Sequence, residues 1–531
     1  MSAFTGTGTL IRFALLRDRL RMSIWVVALA GLTAASVPAL DEIFSDHAER
    51  QARAALMDSP TGIVFGGPGY GLADYTLGPM LVNELTMSLL IALAVMSVLH
   101  MVRHTRAEES GRAELLRAGV LGASAQTAAA LITLALANLL IGGLITAAMV
   151  AFELPVADSI AYGLGSALAG ISFGAIAAVC AQVSEHGRSA SGLAFLVIGV
   201  LFLFRAVGDM AEKGGSALSW LSPFAWVQQT RPFDELRWEP LALYGAFVLV
   251  LFVVTYALAR RRDVGAGLIA VRPGPPGAGR LLRGVFTLHL NQQRGAIVAW
   301  AAAVLAFGYA FGSLVTEVEG MLDSAPDLAA VLGGDTDDLV DGFLGMITVY
   351  VIMAAAAYGV LSVSRARVEE NAGRAELLLS TAVGRMHWFG AALVVALVST
   401  VLITLAGGLG LGLGAAVALE DAEWTWRMVE SMLAQLPAAL VFGALAALLL
   451  GAAPRLLPLV WLWFGYSLVT TMMGGLFEFP EEAMNLSAFE ILARPPMEGF
   501  ETAPYLLYLS TVLVAGVVSL AGFRERDLAT A

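Results

Sequence analysis

The most constraining feature of this sequence is a series of long apolar runs that extends over almost its whole length. A run of about 20 apolar residues is long enough to cross the hydrocarbon core of a bilayer. Hydrophobic residues make up 58% of the 531 residues and charged residues only 14%, whereas soluble domains contain about 45–50% and about 25%. The sequence therefore predicts an all-α, polytopic membrane protein with about 12 transmembrane helices.

The apolar runs form two sets of six that are separated by a polar segment. This segment contains Arg-Pro-Gly-Pro-Pro-Gly at 272–277, and its prolines and glycines predict an extended connector. The chain is thereby divided into a first transmembrane unit at 1–259, a linker at 260–280 and a second unit at 281–531. The predicted spans lie near 22–41, 80–102, 124–152, 160–182, 191–209, 240–259, 296–316, 342–363, 387–417, 430–452, 456–475 and 504–522.

The distribution of basic residues predicts the orientation of these spans. If the N-terminus lies inside, the segments predicted to face the cytoplasm hold 23 of the 31 Lys and Arg residues, and the external segments hold seven. Cytoplasmic loops of membrane proteins carry an excess of such residues. We therefore expect a multi-pass protein with both termini in the cytoplasm.

The two units carry an internal repeat. Residues 240–263 align without gaps with residues 504–527, and 12 of the 24 positions are identical. Polar matches such as Arg262 with Arg526 matter most, because apolar matches arise easily by chance. Since each copy has an even number of spans, both copies share one orientation, and their pseudo-twofold axis is expected along the membrane normal.

A second repeated element is a charged loop between the second and third spans of each unit. Residues 106–116 read RAEESGRAELL, and residues 367–378 read RVEENAGRAELL. The topology rule requires only basic residues, so it does not explain why the acidic residues recur. Either the loop is solvated and only sets orientation, or it forms a helix that docks a cytoplasmic partner. The docking hypothesis assigns the contact to Arg106, Glu108, Glu109, Arg112, Glu114, Arg367, Glu369, Glu370, Arg374 and Glu376.

Glu84, Arg205 and Asp209 fall within predicted spans, where charge is costly and commonly functional. Glu84 lies in the outer part of the second span, and Arg205 and Asp209 lie near the outer end of the fifth. The spacing of Arg205 and Asp209 places both on one helix face, where they can pair. All three either belong to a substrate pathway or simply reach the external headgroups.

Several kinds of chemistry lack their sequence signature. The chain has no G-x-x-x-x-G-K-[ST] motif and hence no phosphate-binding loop of its own. It has no His-Glu-x-x-His motif, cysteine cluster or nucleophile elbow, and its one cysteine, Cys180, excludes an internal disulfide. The net charge of −12 argues against a nucleic-acid partner. We therefore expect no catalytic site and no metal site.

Taken together, these features resemble the permease subunits of ABC exporters, in particular the fused type-2 class of polyketide-antibiotic and multidrug exporters. The resemblance covers essentially the whole chain. It rests on E-E-x-G-R-x-E-L-L at 108–116 with its near copy at 369–378, on QQTRPF at 228–233 with Arg-Trp at 237–238, and on RRDVGAGL at 261–268.

The resemblance implies elements that the hydropathy pattern alone does not give. These are interfacial helices before the first span of each unit at 8–21 and 281–294, coupling helices at 106–120 and 367–382, and short re-entrant helices at 210–239 and 476–503. It also implies that the chain recruits two copies of a cytoplasmic ATPase subunit, which binds ATP and Mg²⁺, while this chain binds no cofactor. The substrate would be a small hydrophobic or amphipathic molecule, such as an antibiotic, that is exported across a bacterial plasma membrane.

The main alternative is a secondary transporter of the 6+6 type, which shares the parallel repeat. Its charged loop between the second and third spans typically opens with Gly and Asp ahead of the Arg residues, whereas this loop opens Arg-x-Glu-Glu. A membrane enzyme or a sensor scaffold would need a convergent polar site, and the sequence indicates none. An ATP-driven efflux permease is therefore the leading hypothesis.

Overall fold

The chain folds into two compact units of helices. The computed structural model describes residues 3–58, 60–105, 121–122, 124–261, 267–269, 277, 279, 282–316, 336–473, 479–492 and 502–528. Unit 1 comprises Met1–Pro273 and unit 2 comprises Gly274–Ala531. Their boundary falls within the predicted linker 260–280. In the described residues, regular structure is helical apart from one isolated bridge between Ser184 and Ile269.

Unit 1 places its long helices and several shorter ones in the order that the apolar pattern predicts. Its helices are α1 (Thr7–Arg17), α2 (Arg19–Ile43), α3 (His47–Met57), α4 (Pro60–Gly66), α5 (Leu77–Thr105), α6 (Ala125–Ala151), α7 (Val156–Val183), α8 (Gly187–Ala211), α9 (Ala217–Trp220), α10 (Pro223–Gln229) and α11 (Glu239–Ala259). The short α9 and α10 lie within the predicted re-entrant segment 210–239. Helices α3 and α4 have no counterpart in the sequence prediction.

Unit 2 repeats the order of the long helices. Its helices are α12 (Val285–Gly312), α13 (Thr336–Asn371), α14 (Arg374–Leu379), α15 (Arg385–Ala418), α16 (Glu423–Ala452), α17 (Pro458–Met473), α18 (Glu481–Met484) and α19 (Thr502–Glu525). The short α18 lies within the second predicted re-entrant segment, 476–503.

Every predicted span coincides with a helix. In the described part of the chain, 11 helices are long and apolar enough to cross a membrane, namely α2, α5, α6, α7, α8, α11, α12, α13, α15, α16 and α19. The remaining predicted span, 456–475, falls on α17, which has 16 described residues and is followed by the undescribed residues 474–478. The prediction of an all-α polytopic membrane protein is thus confirmed.

In unit 2 the first and third spans approach each other at glycines. Gly308 and Gly312 lie one turn apart on α12. A Cβ added at Gly308 would lie 2.7 Å from the carbonyl oxygen of Gly407 on α15, and one added at Gly312 would clash with the carbonyl oxygen of Leu411. Small residues at this spacing allow membrane helices to pack backbone to backbone. The glycines therefore hold α12 directly against α15.

In unit 1 the corresponding first span has no such contact. Gly31, the glycine of α2, has no atom within 4 Å of an added Cβ. The close approach lies instead between the third and fourth spans, where a Cβ at Gly142 would clash with the carbonyl oxygen of Gly163. Unit 2 shares this contact, since a Cβ at Gly412 would lie 2.7 Å from the carbonyl oxygen of Thr425 on α16, so the units differ at the first span.

The entry into the first span also differs between the units. In unit 1, helix α1 is separated from α2 by one bent residue, Asp18, and it corresponds to the interfacial helix predicted at 8–21. In unit 2, α12 runs without a break from Val285. The separate interfacial helix predicted at 281–294 is therefore wrong in the described residues, because the Gln-Gln-Arg stretch at 292–294 consists of good helix formers that continue the span.

Candidate functional site

The predicted coupling helix of unit 2 is divided into two pieces. Helix α13 continues through Asn371, Gly373 then adopts a left-handed φ of 69°, and α14 begins at Arg374. Glycine suits this position because residues with a Cβ adopt a positive φ only at a steric cost. The prediction of one helix over 367–382 is thus corrected to a helix end, a glycine turn and a short helix.

The buried side of this turn is held by an ion pair. Glu370 is 3% exposed. Arg526, which follows α19, donates two hydrogen bonds to its carboxylate oxygens, with N–O distances of 2.7 and 2.6 Å, and Arg367 lies 3.1 Å away. A two-point contact of this kind fixes both position and direction. Glu370 therefore joins the end of the second span to the end of the sixth, which makes it a positioning residue inside unit 2.

The opposite side of the turn faces outward. Arg374 donates two hydrogen bonds to Glu369, with N–O distances of 2.7 and 2.8 Å. Glu376 is exposed, and the adjacent Leu377 is 72% exposed. Of the predicted docking residues, Arg374 and Glu376 thus share the short helix α14 with an exposed leucine, and Glu369 is paired with Arg374. We call Arg374, Glu376 and Leu377 the docking face.

The predicted coupling residues of unit 1 lie between positions 106 and 114. Arg106, Glu108, Glu109, Arg112 and Glu114 lie outside the described residues. The repeated motif remains the basis for expecting a second docking face there.

At the predicted outer end of unit 1, Glu84 binds a partner that the sequence did not predict. Arg53 of α3 donates two hydrogen bonds to the Glu84 carboxylate, with N–O distances of 2.6 and 2.8 Å. The hydrogen bond to Glu84 raises the pKa of Arg53, so the guanidinium remains charged. The side chain of Glu84 is 15% exposed. Glu84 thus anchors α3 to the second span, and its role in a substrate pathway or at the headgroups stays a prediction.

Arg205 and Asp209 are in contact, as their spacing predicts. The Nη1 atom of Arg205 lies 3.6 Å from an Asp209 carboxylate oxygen, and both side chains are fully buried. Arg205 also donates to the carbonyl oxygens of Ile63, at 3.3 Å, and Val64. These carbonyls belong to α4, so the buried arginine holds the outer segment of unit 1 in place. A role of either residue in substrate passage stays a prediction.

The QQTR segment, which carries part of the family resemblance, completes this outer structure. Gln228 donates to the carbonyl oxygen of Gly66. Gln229 and Tyr70 both donate to the carbonyl oxygen of Gly214, at 2.9 and 2.7 Å. Burial raises the pKa of Tyr70, so its hydroxyl remains a donor. The segment therefore joins the re-entrant helices to the segment between the first and second spans.

Each unit also has an apolar cavity against its sixth span. A cavity of about 420 Å³ lies between α13, α15, α16 and α19, and one of about 570 Å³ lies against α6, α7 and α11. Val248 and Leu249 line the cavity of unit 1, and Val512 and Leu513, their equivalents in the repeat, line that of unit 2. Cavities of about 300–1,000 Å³ can hold a small molecule. The repeat therefore places an apolar cavity at an equivalent position in both units.

Comparison with known proteins supplies an independent finding. Residues 282–524 match the family described as "Multidrug efflux system permease Rv1217c, C-terminal domain". Over its full length the chain is similar to the multidrug efflux system permease protein Rv1217c of Mycobacterium tuberculosis. The two are 35% identical over 535 aligned residues, which cover 99% of this chain and 96% of the relative. The similarity therefore includes both units.

Proposed function

Because the chain belongs to the family of multidrug efflux permeases, we propose that it is the membrane subunit of an ATP-driven exporter of hydrophobic or amphipathic small molecules. The full-length similarity to a multidrug efflux permease carries the efflux part of this proposal. The ATP-driven part rests on the repeated charged motif and on the docking face. In this arrangement a separate ATPase binds ATP and Mg²⁺, and this chain supplies the pathway across a bacterial plasma membrane.

The lining of the cavity in unit 2 supports an apolar substrate. Among its lining residues, Thr400 has a polar side chain, and its hydroxyl already donates to the carbonyl oxygen of Ala396 at 2.8 Å. A charged group placed there would lose its hydration without gaining a partner, which is costly. The cavity therefore favours an uncharged, hydrophobic part of a substrate.

The docking face supports a protein partner on the predicted cytoplasmic side. An exposed leucine among charged side chains combines an apolar anchor with groups that set orientation, and both features are typical of protein interfaces. Glu370 holds the base of the same turn from the inside, so movement of the docked partner can be passed to the second and sixth spans. Because the motif occurs once per unit, one chain is expected to bind two ATPase subunits.

A binding experiment tests the ATPase partner. The chain alone should hydrolyse no ATP, and it should co-purify with an ATPase encoded beside it at two copies per chain. Combining Leu377→Asp with Glu376→Arg should weaken binding at one of the two sites by about tenfold or more, since a lost anchor costs roughly 1–2 kcal/mol or more. The control is Glu481→Arg, which reverses an exposed acid on α18. Equal ATPase binding by both variants would contradict the docking face.

The proposed orientation can be tested by labelling one exposed position on each side of the membrane. Lys213 and Leu377 are 79% and 72% exposed and are predicted to lie on opposite sides of the membrane. In a Cys180→Ser background, Lys213→Cys should react with an impermeant thiol reagent in intact cells, whereas Leu377→Cys should react only after permeabilisation. The reverse pattern would overturn the orientation.

A further inference from the structure

Three potential metal ligands converge where the N-terminal helix meets the second span. Asp18 is the bent residue between α1 and α2, and His100 and His104 lie one turn apart on α5. One ligand atom from each of the three lies within 4.8 Å of the other two. Asp18 is 4% and His100 is 5% exposed. Two imidazoles and one carboxylate form a donor set that Zn²⁺ and neighbouring first-row metal ions accept.

The hydrogen bonds of His100 leave one ring nitrogen available. Thr133 donates its hydroxyl proton to the carbonyl oxygen of Ala129 at 2.9 Å. Its oxygen must therefore accept the bond that joins it to His100 Nε2 at 3.0 Å. In a neutral imidazole this places the proton on Nε2 and the free electron pair on Nδ1. A metal-binding histidine commonly donates its other N–H in this way, because the bond fixes the orientation of the ring.

His104 and Asp18 are joined by a hydrogen bond at the position where a metal ion would bind. His104 Nε2 lies 2.5 Å from Asp18 Oδ2. Binding of a divalent ion would replace this N–H···O bond by one bond from each atom to the metal, and in a neutral imidazole the proton would then lie on Nδ1.

Two neighbouring arginines lower the expected affinity for a metal ion. They do not occupy Oδ2, the Asp18 oxygen that would bind it. Arg17 and Arg103 each approach the other carboxylate oxygen of Asp18, Oδ1, at 3.8 Å. Oδ2 thus remains directed at His104. The positive charges of both arginines oppose a dication, so we expect weaker binding than at a structural zinc site.

A cavity leads to the same group. It has a volume of about 340 Å³, and its lining includes Asp18, His100 and Thr133 together with apolar residues of α2 and α6. This space gives an ion and its remaining water ligands access to Asp18 and His100. The donor set and the cavity are independent observations that coincide at one place.

We propose that Asp18, His100 and His104 form a binding site for a divalent first-row metal ion of the Zn²⁺ type. The bound ion joins the bend between α1 and α2 to the last turn of α5. It thereby fixes the N-terminal helix of unit 1 relative to the second span. This inference does not depend on the substrate or on the source of energy for transport.

The test is a titration of the full chain, purified in detergent without a polyhistidine tag. Co²⁺ serves as the spectroscopic probe, and Zn²⁺ as the competitor. We expect one Co²⁺ per chain and a visible absorption band that Zn²⁺ abolishes. His100→Ala should weaken binding by about tenfold or more, as the loss of a group at a metal site does, and it leaves the bond between His104 and Asp18 in place.

The control is His186→Ala, which removes an exposed histidine far along the chain from this group. It should bind Co²⁺ like the unaltered chain. Asp18→Asn should also lose binding, and His100→Ala gives the answer if the aspartate variant does not fold. No saturable binding at one equivalent, or an equal loss in His100→Ala and His186→Ala, would overturn the site and leave an ordinary hydrogen bond between Asp18 and His104.

Discussion

The first spans of the two units are held in different ways, although the units are copies of one another. In unit 2, α12 is one continuous helix whose glycines, Gly308 and Gly312, lie directly against the third span. In unit 1, the helix bends at Asp18, and the glycine of the span, Gly31, touches no other helix. Glycine thus brings the first span of unit 2 against the third span, whereas the first span of unit 1 packs through side chains such as Val26, Ala30 and Val37.

The contact between the first and second spans also differs between the two units. In unit 1 it joins two titratable groups, Asp18 and His104. In unit 2 the amide of Gln293 lies 2.7 Å from the hydroxyl of Ser362, which donates to it, and Arg365 donates to the carbonyl oxygen of Gln292 at 3.0 Å. Duplication thus kept the order of the spans but not the chemistry between them. We expect the two units to respond differently to metal ions and to mutation.

The largest expected effect is at the ion pair that fixes the coupling segment of unit 2. Glu370→Gln removes the charge that Arg526 binds, and breaking one side of a buried pair costs about 3–5 kcal/mol. The exposed Glu376→Gln should change stability by less than about 0.5 kcal/mol. Thermal unfolding in detergent measures both. Equal unfolding temperatures would mean that Glu370 is not a structural anchor.

The next largest effect is expected at the buried arginine of unit 1. Arg205→Met leaves Asp209 as an unpaired buried charge and removes two bonds to α4, so it should cost about 3 kcal/mol. Adding Asp209→Asn should restore part of the stability, because the unpaired charge is then gone. If Arg205 instead serves transport, Arg205→Met will keep its stability and lose efflux, and the second substitution will restore nothing.

Glycine substitution tests the comparison of the first spans directly. Gly312→Ala should cost about 1–3 kcal/mol, because the new methyl group forces α12 away from α15. Gly31→Ala is the matched control, and it should be neutral or stabilising by up to about 1 kcal/mol, because alanine is the better helix former and meets open space. Similar destabilisation in both variants would show that the first spans of the two units are packed alike.

The smallest effect is expected at the bend of unit 1. His104→Leu removes one hydrogen bond to a charged group, which is worth about 1.5–3 kcal/mol at most, and the contacts of Asp18 with Arg17 and Arg103 should offset part of the loss. Protease cleavage within α1 should nevertheless become faster, because the N-terminal helix loses its contact with α5. Gln293→Leu in unit 2 should leave the corresponding segment protected, since α12 is also held by glycine.

The sequence predicted those features that depend on local pattern. Length and apolarity placed eleven of the twelve predicted spans on helices that can cross a membrane, and periodicity brought Arg205 and Asp209 together. Partners that are distant along the chain were missed, because a single sequence does not indicate which loop meets which helix. Arg53 is 31 residues from Glu84, and Arg526 is 156 residues from Glu370.

The sequence repeat nevertheless contained one indication of the contact between Glu370 and Arg526. The repeat retains both the acid, as Glu109 and Glu370, and the arginine, as Arg262 and Arg526. Paired retention of opposite charges in both copies is the pattern expected of residues that bind each other. Asp18, in contrast, has no partner in any sequence motif, and the metal-binding geometry was visible only after α1 and α5 had been placed together.

Transport in inside-out membrane vesicles tests the central claim most directly. Vesicles that contain the chain and the proposed ATPase subunit should accumulate a hydrophobic fluorescent drug when ATP is added, and an uncoupler should leave the rate unchanged. Vesicles with the chain alone, or with the Leu377→Asp and Glu376→Arg variant, should accumulate less. Accumulation that needs no ATP and stops when the uncoupler is added would contradict the account and identify the chain as an ion-coupled transporter.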